Sequence, residues 1–250
     1  ITLCRWERVS MRSIQEVIED LLAQKTGRES VRVESIERCG GGCINNTARV
    51  RSSEGDFFAK WNAHCEHSDL FAREAEALTE LRKTATSAVV PEVIAEQPAQ
   101  NGDPAILILE YLPLSHGSHG DDEILGRGIA EIHQYTSGKF GFYNNNYCGA
   151  TTQDNRWSED WIDFFARQRI GYMLELIVGK KGMSSRDRQL YDRFIEKIPS
   201  LITHHPKPSL NHGDLWSGNY IHTARGPALI DPASYYADRE FDFGLMTMFG

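Results

Sequence analysis

Long apolar runs are missing from this sequence. No stretch of its 250 residues approaches the ~20 consecutive apolar residues that a membrane-spanning helix requires. The opening segment, ITLCRWERVS, also lacks the apolar core of a secretory signal. Together these absences predict a cytoplasmic protein without a membrane partner.

Cysteine is also scarce. The chain has five cysteines, an odd number, and they are scattered along its length. In a chain of this size, such a set is typical of reduced intracellular thiols rather than of a disulfide framework. The cysteines are Cys4, Cys39, Cys43, Cys65 and Cys148.

Basic residues are outnumbered by acidic ones. The 27 lysines and arginines face 35 aspartates and glutamates, which gives a formal net charge of −8. A basic face for non-specific nucleic-acid binding is therefore not expected. The Walker pattern G-x-x-x-x-G-K-[ST] is missing too, because Gly179-Lys180 is preceded by Leu174 at the first glycine position and followed by no hydroxyl residue.

The N-terminal part of the chain reads as a helix followed by a small sheet. Ser13 and Glu16 form a capping-box pattern at the start of an amphipathic helix that ends near Gly27. Short strand-like runs joined by tight connections then predict an antiparallel sheet. These runs are 30–38, 46–51 and 57–61; a helix pattern follows over 68–83, and the apolar run 105–109 suits a buried strand that leads into a linker.

The C-terminal part is dominated by helix patterns. Spaced apolar faces predict long helices over 124–135, 157–178 and 187–202, and short strands alternate with loops over 210–234. We therefore expect an N-terminal lobe over 11–109, a hinge at 110–114 and a helical C-terminal lobe over 115–250. Residues 1–10 are expected to be an extension of the domain.

The most informative motif lies in the second of these lobes. His212, Asp214 and Asn219 match the spacing H-x-D-x-x-x-x-N. Phosphoryl transfer to a hydroxyl group needs a carboxylate that accepts the hydroxyl proton and an oxygen ligand for magnesium, and this loop carries both. Taken alone, Asp214 and Asn219 could equally be turn-forming residues.

A second acidic residue favours the catalytic interpretation. The apolar run Ala228–Ile230 delivers Asp231 twelve residues after Asn219, where kinases place another magnesium ligand. The tripeptide Asp242-Phe243-Gly244 further along spells the literal protein-kinase motif, but its spacing is too long. We therefore assign the metal to Asp231 and expect Asp242 to hydrogen-bond the catalytic loop.

The N-terminal lobe offers residues that could hold ATP. Lys60 lies on the third predicted strand, and its expected partner is Glu74 on the next helix, with Glu76 as the second choice. A solvated helix face is the alternative reading of these glutamates. A glycine-rich loop could cradle phosphates, and the hinge could bond adenine through its backbone. The corresponding residues are Gly41, Gly42 and Cys43 in the loop and Glu110, Tyr111 and Leu112 in the hinge.

Three tryptophans are candidates for the acceptor substrate. Trp157, Trp161 and Trp216 could form an apolar platform for a sugar ring or an aliphatic amine. Core packing is the alternative fate, and we expect it for at least one of them.

Several of these segments resemble the fructosamine kinase (ketosamine-3-kinase) family. The likeness extends from about residue 12 to the end of the chain and is most specific in HGDLWSGN and in IDPASYY followed by Arg239-Glu240. It implies an α+β, bilobal protein-kinase-like fold and the cofactors ATP and Mg²⁺. In that family Asp214 would be the base, Asn219 and Asp231 the magnesium ligands, and Lys60 with Glu74 the phosphate-orienting pair.

The resemblance also implies an activity. It predicts ATP-dependent phosphorylation of the sugar O3 of ketosamines, the products of amine glycation, as a deglycation or protein-repair step. The alternatives are a phosphotransferase for another small hydroxyl substrate, such as an aminoglycoside or amino alcohol, and an inactive kinase-like binding module. Because relatives continue beyond the position of Gly250, the chain is expected to be C-terminally incomplete. Its oligomeric state and preferred ketosamine are left open.

Overall fold

The computed structural model describes residues 12–40, 45–62 and 67–249, and for Phe249 the backbone alone. The chain divides into two compact units. One contains the residues up to Ala75 together with Glu92–Leu112, and the other contains Glu76–Pro91 and Pro113–Gly250. The chain thus passes into the second unit within the predicted hinge, but residues 76–91, which the sequence analysis placed in the N-terminal lobe, belong to the second unit.

The helices of the described residues lie in both units, and most of them lie in the second. In chain order they are α1 (Ile14–Thr26), α2 (Leu70–Thr84), α3 (Asp121–Gln134), α4 (Trp161–Phe164), a π-helical segment (Phe165–Gly171), α5 (Tyr172–Lys181), α6 (Ser185–Leu201) and α7 (Glu240–Phe249). None of them is long and apolar enough to cross a lipid bilayer.

The strands are short and antiparallel within their sheets. They are β1 (Val33–Arg38), β2 (Asn46–Ser52), β3 (Gly55–Asn62), β4 (Val93–Gln97), β5 (Ala105–Glu110), β6 (Asn146–Cys148), β7 (Thr151–Gln153), β8 (Ser209–Asn211), β9 (Tyr220–Thr223), β10 (Gly226–Leu229) and β11 (Tyr235–Ala237). The first five form one sheet in the order β1-β2-β3-β5-β4, and the others pair as β6-β7, β9-β10 and β8-β11.

The first unit has its core between α1 and the five-stranded sheet. The predicted capping box is confirmed, because the Ser13 side chain accepts the Glu16 N–H and the Glu16 carboxylate accepts the Ser13 N–H. Gly27 ends the helix in the left-handed conformation, as predicted. The buried face of α1 joins alternate residues of the strands in one apolar cluster: Val17, Ile18, Leu21, Leu22, Val33, Ala48, Val50, Ala59, Trp61, Ile106 and Ile108.

The long helix predicted over 157–178 differs in the structure. It begins at Trp161 rather than at 157, because the Asp160 side chain caps it by accepting the Asp163 N–H at 2.7 Å. Its interior is a π-helical segment between α4 and α5. π-Helical turns place side chains differently from an α-helix, and the apolar spacing of the sequence does not reveal them.

A partly exposed carboxylate, Glu131, joins α3 to the turn after α2. The Glu131 carboxylate accepts the backbone N–H groups of Thr86 and Ser87 at 2.7 and 2.8 Å, and the Ser87 hydroxyl at 2.5 Å. The bonds from Ser87, followed by those from Thr86, lower the pKa of Glu131 to about 2. One carboxylate therefore satisfies two backbone donors of this turn.

We expect Glu131→Gln to lower the free energy of unfolding by about 1 kcal/mol at pH 7, a modest loss because the carboxylate is partly exposed. The folded-state pKa lies below the ordinary value, so the stabilisation is present above about pH 4.5 and declines as the pH falls towards 2. Urea titrations at pH 7 and pH 3.5 measure both effects. Glu123→Gln, on the same helix, is the control. An equal difference in unfolding free energy between wild type and Glu131→Gln at both pH values would contradict the assignment.

Candidate active site

The predicted catalytic loop leaves β8 through a glycine that the backbone requires. Gly213 has φ +84, and a Cβ atom at this position would lie 2.1 Å from the backbone oxygen of Ala233. A side chain is therefore excluded twice, by conformation and by space. The loop is fixed closely against the segment that precedes β11.

His212 connects the two predicted parts of the site. Its Nε2 lies 3.0 Å from the Ile230 carbonyl oxygen and must donate, so its Nδ1 is the acceptor for the Asp214 N–H at 3.3 Å. Burial lowers the pKa of His212, which favours this neutral tautomer. The ring thereby holds the start of the catalytic loop against the strand end that carries Asp231.

Asp214 and Asn219, the central pair of the motif, are in direct contact. Asn219 Nδ2 donates to the backbone oxygen of Asp214 at 2.7 Å and to its Oδ2 at 2.9 Å. Burial raises the pKa of Asp214, and the charge of Asp231 adds to the rise, whereas His212 and the Asn219 amide oppose it. The structure therefore brings the predicted base and the first predicted metal ligand together.

Asp231 follows β10 in a conformation that is uncommon for a residue with a side chain. Its φ is +55, in the left-handed region that Asp and Asn tolerate better than most residues. The side chain is exposed and lies close enough to Asp214 and His212 to shift the pKa of both. Because Ile230 N–H also donates to the Asn219 carbonyl at 3.0 Å, the two predicted ligands come from adjoining backbone.

Asp242 hydrogen-bonds the catalytic loop, as predicted. Its Oδ2 accepts the His212 N–H at 2.8 Å and its Oδ1 accepts the Gly213 N–H at 2.9 Å. His133 Nε2 lies 3.0 Å from the same Oδ2, and both side chains are buried. The Asp242 carboxylate thus holds the catalytic loop through its backbone, which gives the kinase-like tripeptide a structural role.

Sequence reasoning missed Cys148. This residue ends β6, and its thiol lies near enough to the Asp214 carboxylate to lower the pKa of Asp214. Burial and the Asp214 charge raise the pKa of the thiol to about 12, so the thiol stays protonated at neutral pH. A single cysteine in a polar segment gives no sequence signal for this contact, because it depends on a fold that brings positions 148 and 214 together.

In the first unit, the predicted ion pair is confirmed. Lys60 Nζ lies 2.7 Å from Glu74 Oε1, and both side chains are largely buried. Lys60 stands on β3, opposite Leu107 of β5, so the sheet fixes its position. Glu76, the second choice, instead accepts the Asn144 side-chain amide at 3.1 and 3.2 Å.

Of the other predicted nucleotide-binding residues, the structure describes those of the hinge. Gly41, Gly42 and Cys43 lie outside the described residues. At the hinge, the Glu110 N–H donates to the Glu92 carbonyl at 2.9 Å, and the guanidinium of Arg49 stacks on the Tyr111 ring at 4.5 Å. Leu112 is buried. The role of the hinge towards adenine stays a prediction.

The three candidate tryptophans have different environments. Trp161 is only 5% exposed and packs against the rings of Phe140, Phe164 and Phe165, so it belongs to the core. Trp157 and Trp216 are 41% and 40% exposed. The Trp216 ring lies where the side chain of any residue other than glycine at position 218 would stand, so Gly218 makes room for the ring. Of the predicted platform, Trp157 and Trp216 remain.

Comparison with known proteins identifies relatives of the whole chain. The family model for fructosamine kinase matches residues 14–250. A protein named probable ketoamine kinase from Vibrio parahaemolyticus is 38% identical over 248 residues, which are 98% of this chain and 80% of the relative. A chloroplastic protein-ribulosamine 3-kinase from Oryza sativa subsp. indica is 35% identical over 228 residues, 88% of this chain and 64% of the relative.

Solved structures agree with these matches. A crystal structure assigned as a fructosamine-3-kinase from Haemophilus somnus has a TM-score of 0.78 at 28% identity and covers 90% of this chain and 74% of that one. An aminoglycoside phosphotransferase shares the fold, with a TM-score of 0.60 at 14% identity over 91% of this chain and 75% of that one. The predicted α+β, protein-kinase-like fold is confirmed. The chain therefore belongs to the fructosamine kinase family.

Proposed function

We propose that this protein is an ATP-dependent kinase that phosphorylates the sugar O3 of ketosamines, with Asp214 as the catalytic base. The observation that carries the proposal is the joined arrangement of Asp214, Asn219 and Asp231 in a chain of this family. The family name and the relatives named as ketoamine and ribulosamine kinases supply the substrate class.

The residues support a direct transfer. Asp214 takes the proton of the acceptor hydroxyl while that oxygen forms a bond to the γ-phosphorus of ATP and the bond to the β-phosphate oxygen breaks, which releases ADP. The Asn219 amide donates to the carboxylate and holds it in place, and the Cys148 thiol lies near it. The catalytic effect then comes mainly from positioning and from charge stabilisation.

The donor set suits magnesium. Asn219 uses Nδ2 for its bonds to Asp214, so Oδ1 is the atom that would bind a cation, and Asp231 supplies a carboxylate. Mg²⁺ prefers oxygen ligands and is usually held by one or two protein groups together with substrate phosphates. When bound, the ion would neutralise charge on the nucleotide phosphates.

The first unit supplies the proposed nucleotide-positioning groups. Lys60, held by Glu74, would bind the ATP phosphates, and the strand pairing of β3 keeps the lysine fixed while it does so. The hinge at Glu110–Leu112 and the loop Gly41–Cys43 are assigned to adenine and to the phosphates by the family resemblance.

A substrate panel tests the proposal. We expect ATP-dependent phosphorylation of ribulosyl-lysine and fructosyl-lysine, detected by phosphorus NMR as a new sugar phosphate, and a requirement for Mg²⁺. Kanamycin is included because the aminoglycoside phosphotransferases share the fold. Turnover of kanamycin without turnover of either ketosamine would contradict the proposal, and ATP binding without any phosphorylation would favour a binding module.

A further inference from the structure

A small aromatic surface in the second unit is not used by the proposed reaction. Tyr143 and Trp157 are 62% and 41% exposed, and their ring centroids lie 5.8 Å apart. Tyr236 lies beneath them, almost fully buried, at 6.5 Å from Tyr143 and 6.1 Å from Trp157. We call these three residues the aromatic surface.

Buried asparagines fix the two loops that carry the exposed rings. Asn155 Nδ2 donates to the Asn144 carbonyl at 3.1 Å and to Asn146 Oδ1 at 2.7 Å. The Asn155 N–H donates to Asn145 Oδ1 at 2.9 Å. Asn146 and Asn155 are both buried, so the bond between their side chains is shielded from water. The segments next to Tyr143 and Trp157 are therefore joined to each other.

A buried arginine from the π-helical segment secures the same loop. Arg169 donates to the Asp154 carbonyl at 2.7 Å and to Asn155 Oδ1 at 2.6 Å. Its guanidinium lies 4.6 Å from the Phe164 ring centroid and 4.0 Å from that of Tyr235. The loop before Trp157 is thus held by charged and aromatic contacts. Because the loops that carry the two exposed rings are held in place, the rings are preorganised to bind a ligand.

The aromatic surface is continuous with the catalytic loop. Gly141 and Tyr236 exchange backbone hydrogen bonds of 2.9 and 2.8 Å, and Asn146 Nδ2 donates to the Ser234 carbonyl at 2.8 Å. The same segment ends at Cys148, whose thiol lies near the Asp214 carboxylate. Tyr143 is five residues from Cys148, so the chain separates their Cα atoms by ~18 Å at most.

Carboxylates lie beside the aromatic surface. The Tyr236 hydroxyl donates to Glu80 Oε1 at 3.3 Å, and Asn144, the neighbour of Tyr143, donates to Glu76. Lys83 pairs with the other oxygen of Glu80 at 2.6 Å. Glu80 is thus already paired with a cation, and the exposed faces of Tyr143 and Trp157 are the groups open to a ligand. Such faces favour an alkyl chain that carries a positive charge, because the chain stacks on the rings and the charge interacts with the π-systems.

We propose that the aromatic surface binds the amine-bearing carrier of the substrate, which for a glycated protein is the alkyl chain of the modified lysine. The inference rests on the proposed function. Phosphorylation takes place at the sugar end of a ketosamine. The secondary amine that links the sugar to the carrier is protonated at neutral pH. Tyr143 and Trp157 are therefore residues that determine carrier specificity rather than catalytic residues.

Ketosamines with one sugar and different carriers test this inference. The substrates are the fructosyl adducts of methylamine and of Nα-acetyl-lysine, and the variants are Trp157→Ala and Tyr143→Ala. We expect kcat/KM for the lysine adduct to fall about tenfold in each variant, mainly through KM, because its alkyl chain no longer stacks on the ring. For the methylamine adduct, which has no chain to stack, we expect a fall of roughly threefold or less.

Two further variants separate specificity from folding. Trp157→Phe keeps a ring and should recover most of the activity on the lysine adduct, with an unchanged Tm. Phe194→Ala in α6 removes a ring of similar exposure, 42%, and should affect neither substrate. Equal losses on both adducts, or no loss on either, would overturn the inference while leaving the proposed function intact. A wild-type enzyme inactive on both adducts would overturn the proposed function and the inference with it.

Discussion

Asp214→Asn is expected to reduce kcat by about 10³-fold while ATP still binds. The amide cannot accept the proton of the acceptor hydroxyl, but it is nearly isosteric and can keep a hydrogen bond to Asn219, which in the native protein lies 2.9 Å from Asp214 Oδ2. Steady-state kinetics with fructosyl-lysine measure the loss. Isothermal titration calorimetry with a non-hydrolysable ATP analogue measures nucleotide affinity, which should change by about threefold or less.

The control for this variant is Asp192→Asn, an exposed carboxylate on α6 that pairs with Arg188. It removes the same charge far along the chain from the catalytic loop and should leave kcat unchanged. If Asp214→Asn retained more than about a tenth of wild-type kcat, another group would have to act as the base. Loss of ATP binding together with kcat would instead point to a disrupted loop.

Asp242→Ala is expected to cost about 3–5 kcal/mol of folding free energy. The carboxylate satisfies two buried backbone donors, the N–H groups of His212 and Gly213, and contacts His133. Alanine would leave all three polar groups buried without this acceptor. Urea denaturation followed by circular dichroism measures the change, and activity should fall with it because these bonds hold the catalytic loop.

Asp242→Asn keeps this prediction measurable if the alanine variant does not fold. One amide oxygen can accept one backbone N–H, but the amide nitrogen would face the other donor, so the variant should still lose about 2 kcal/mol or more. Asp192→Ala serves as the exposed control. A urea midpoint for Asp242→Asn within error of wild type would show that Asp242 does not support the loop.

Local patterns were enough to predict several contacts of the candidate site. The H-x-D-x-x-x-x-N spacing identified Asp214 and Asn219, which are in contact, because a short loop determines their separation. The pairing of Lys60 with Glu74 followed from the order strand, loop, helix. The structural role of Asp242 followed from spacing alone, since a metal ligand was already assigned to Asp231. In each case the decisive residues are near in sequence or ordered by a known motif.

Features that depend on distant parts of the chain escaped prediction. Cys148 lies near Asp214 only because the fold brings β6 to the catalytic loop, and no periodicity encodes that approach. The π-helical turn that aims Arg169 at Tyr235 shows the same apolar spacing as an ordinary helix. Trp161 is in the core although Trp157, four residues earlier, is exposed. The helix begins at Trp161 because Asp160 caps it, so Trp157 lies outside the helix.

The backbone at Asp231 has a consequence for how this family can change its sequence. A φ of +55 is inexpensive only for glycine, asparagine and aspartate, whatever the position does chemically. Substitutions that preserve the turn therefore either retain an oxygen atom at the tip of the side chain or remove the side chain altogether. The same turn would therefore accept asparagine or glycine in a descendant that no longer used the proposed magnesium ligand.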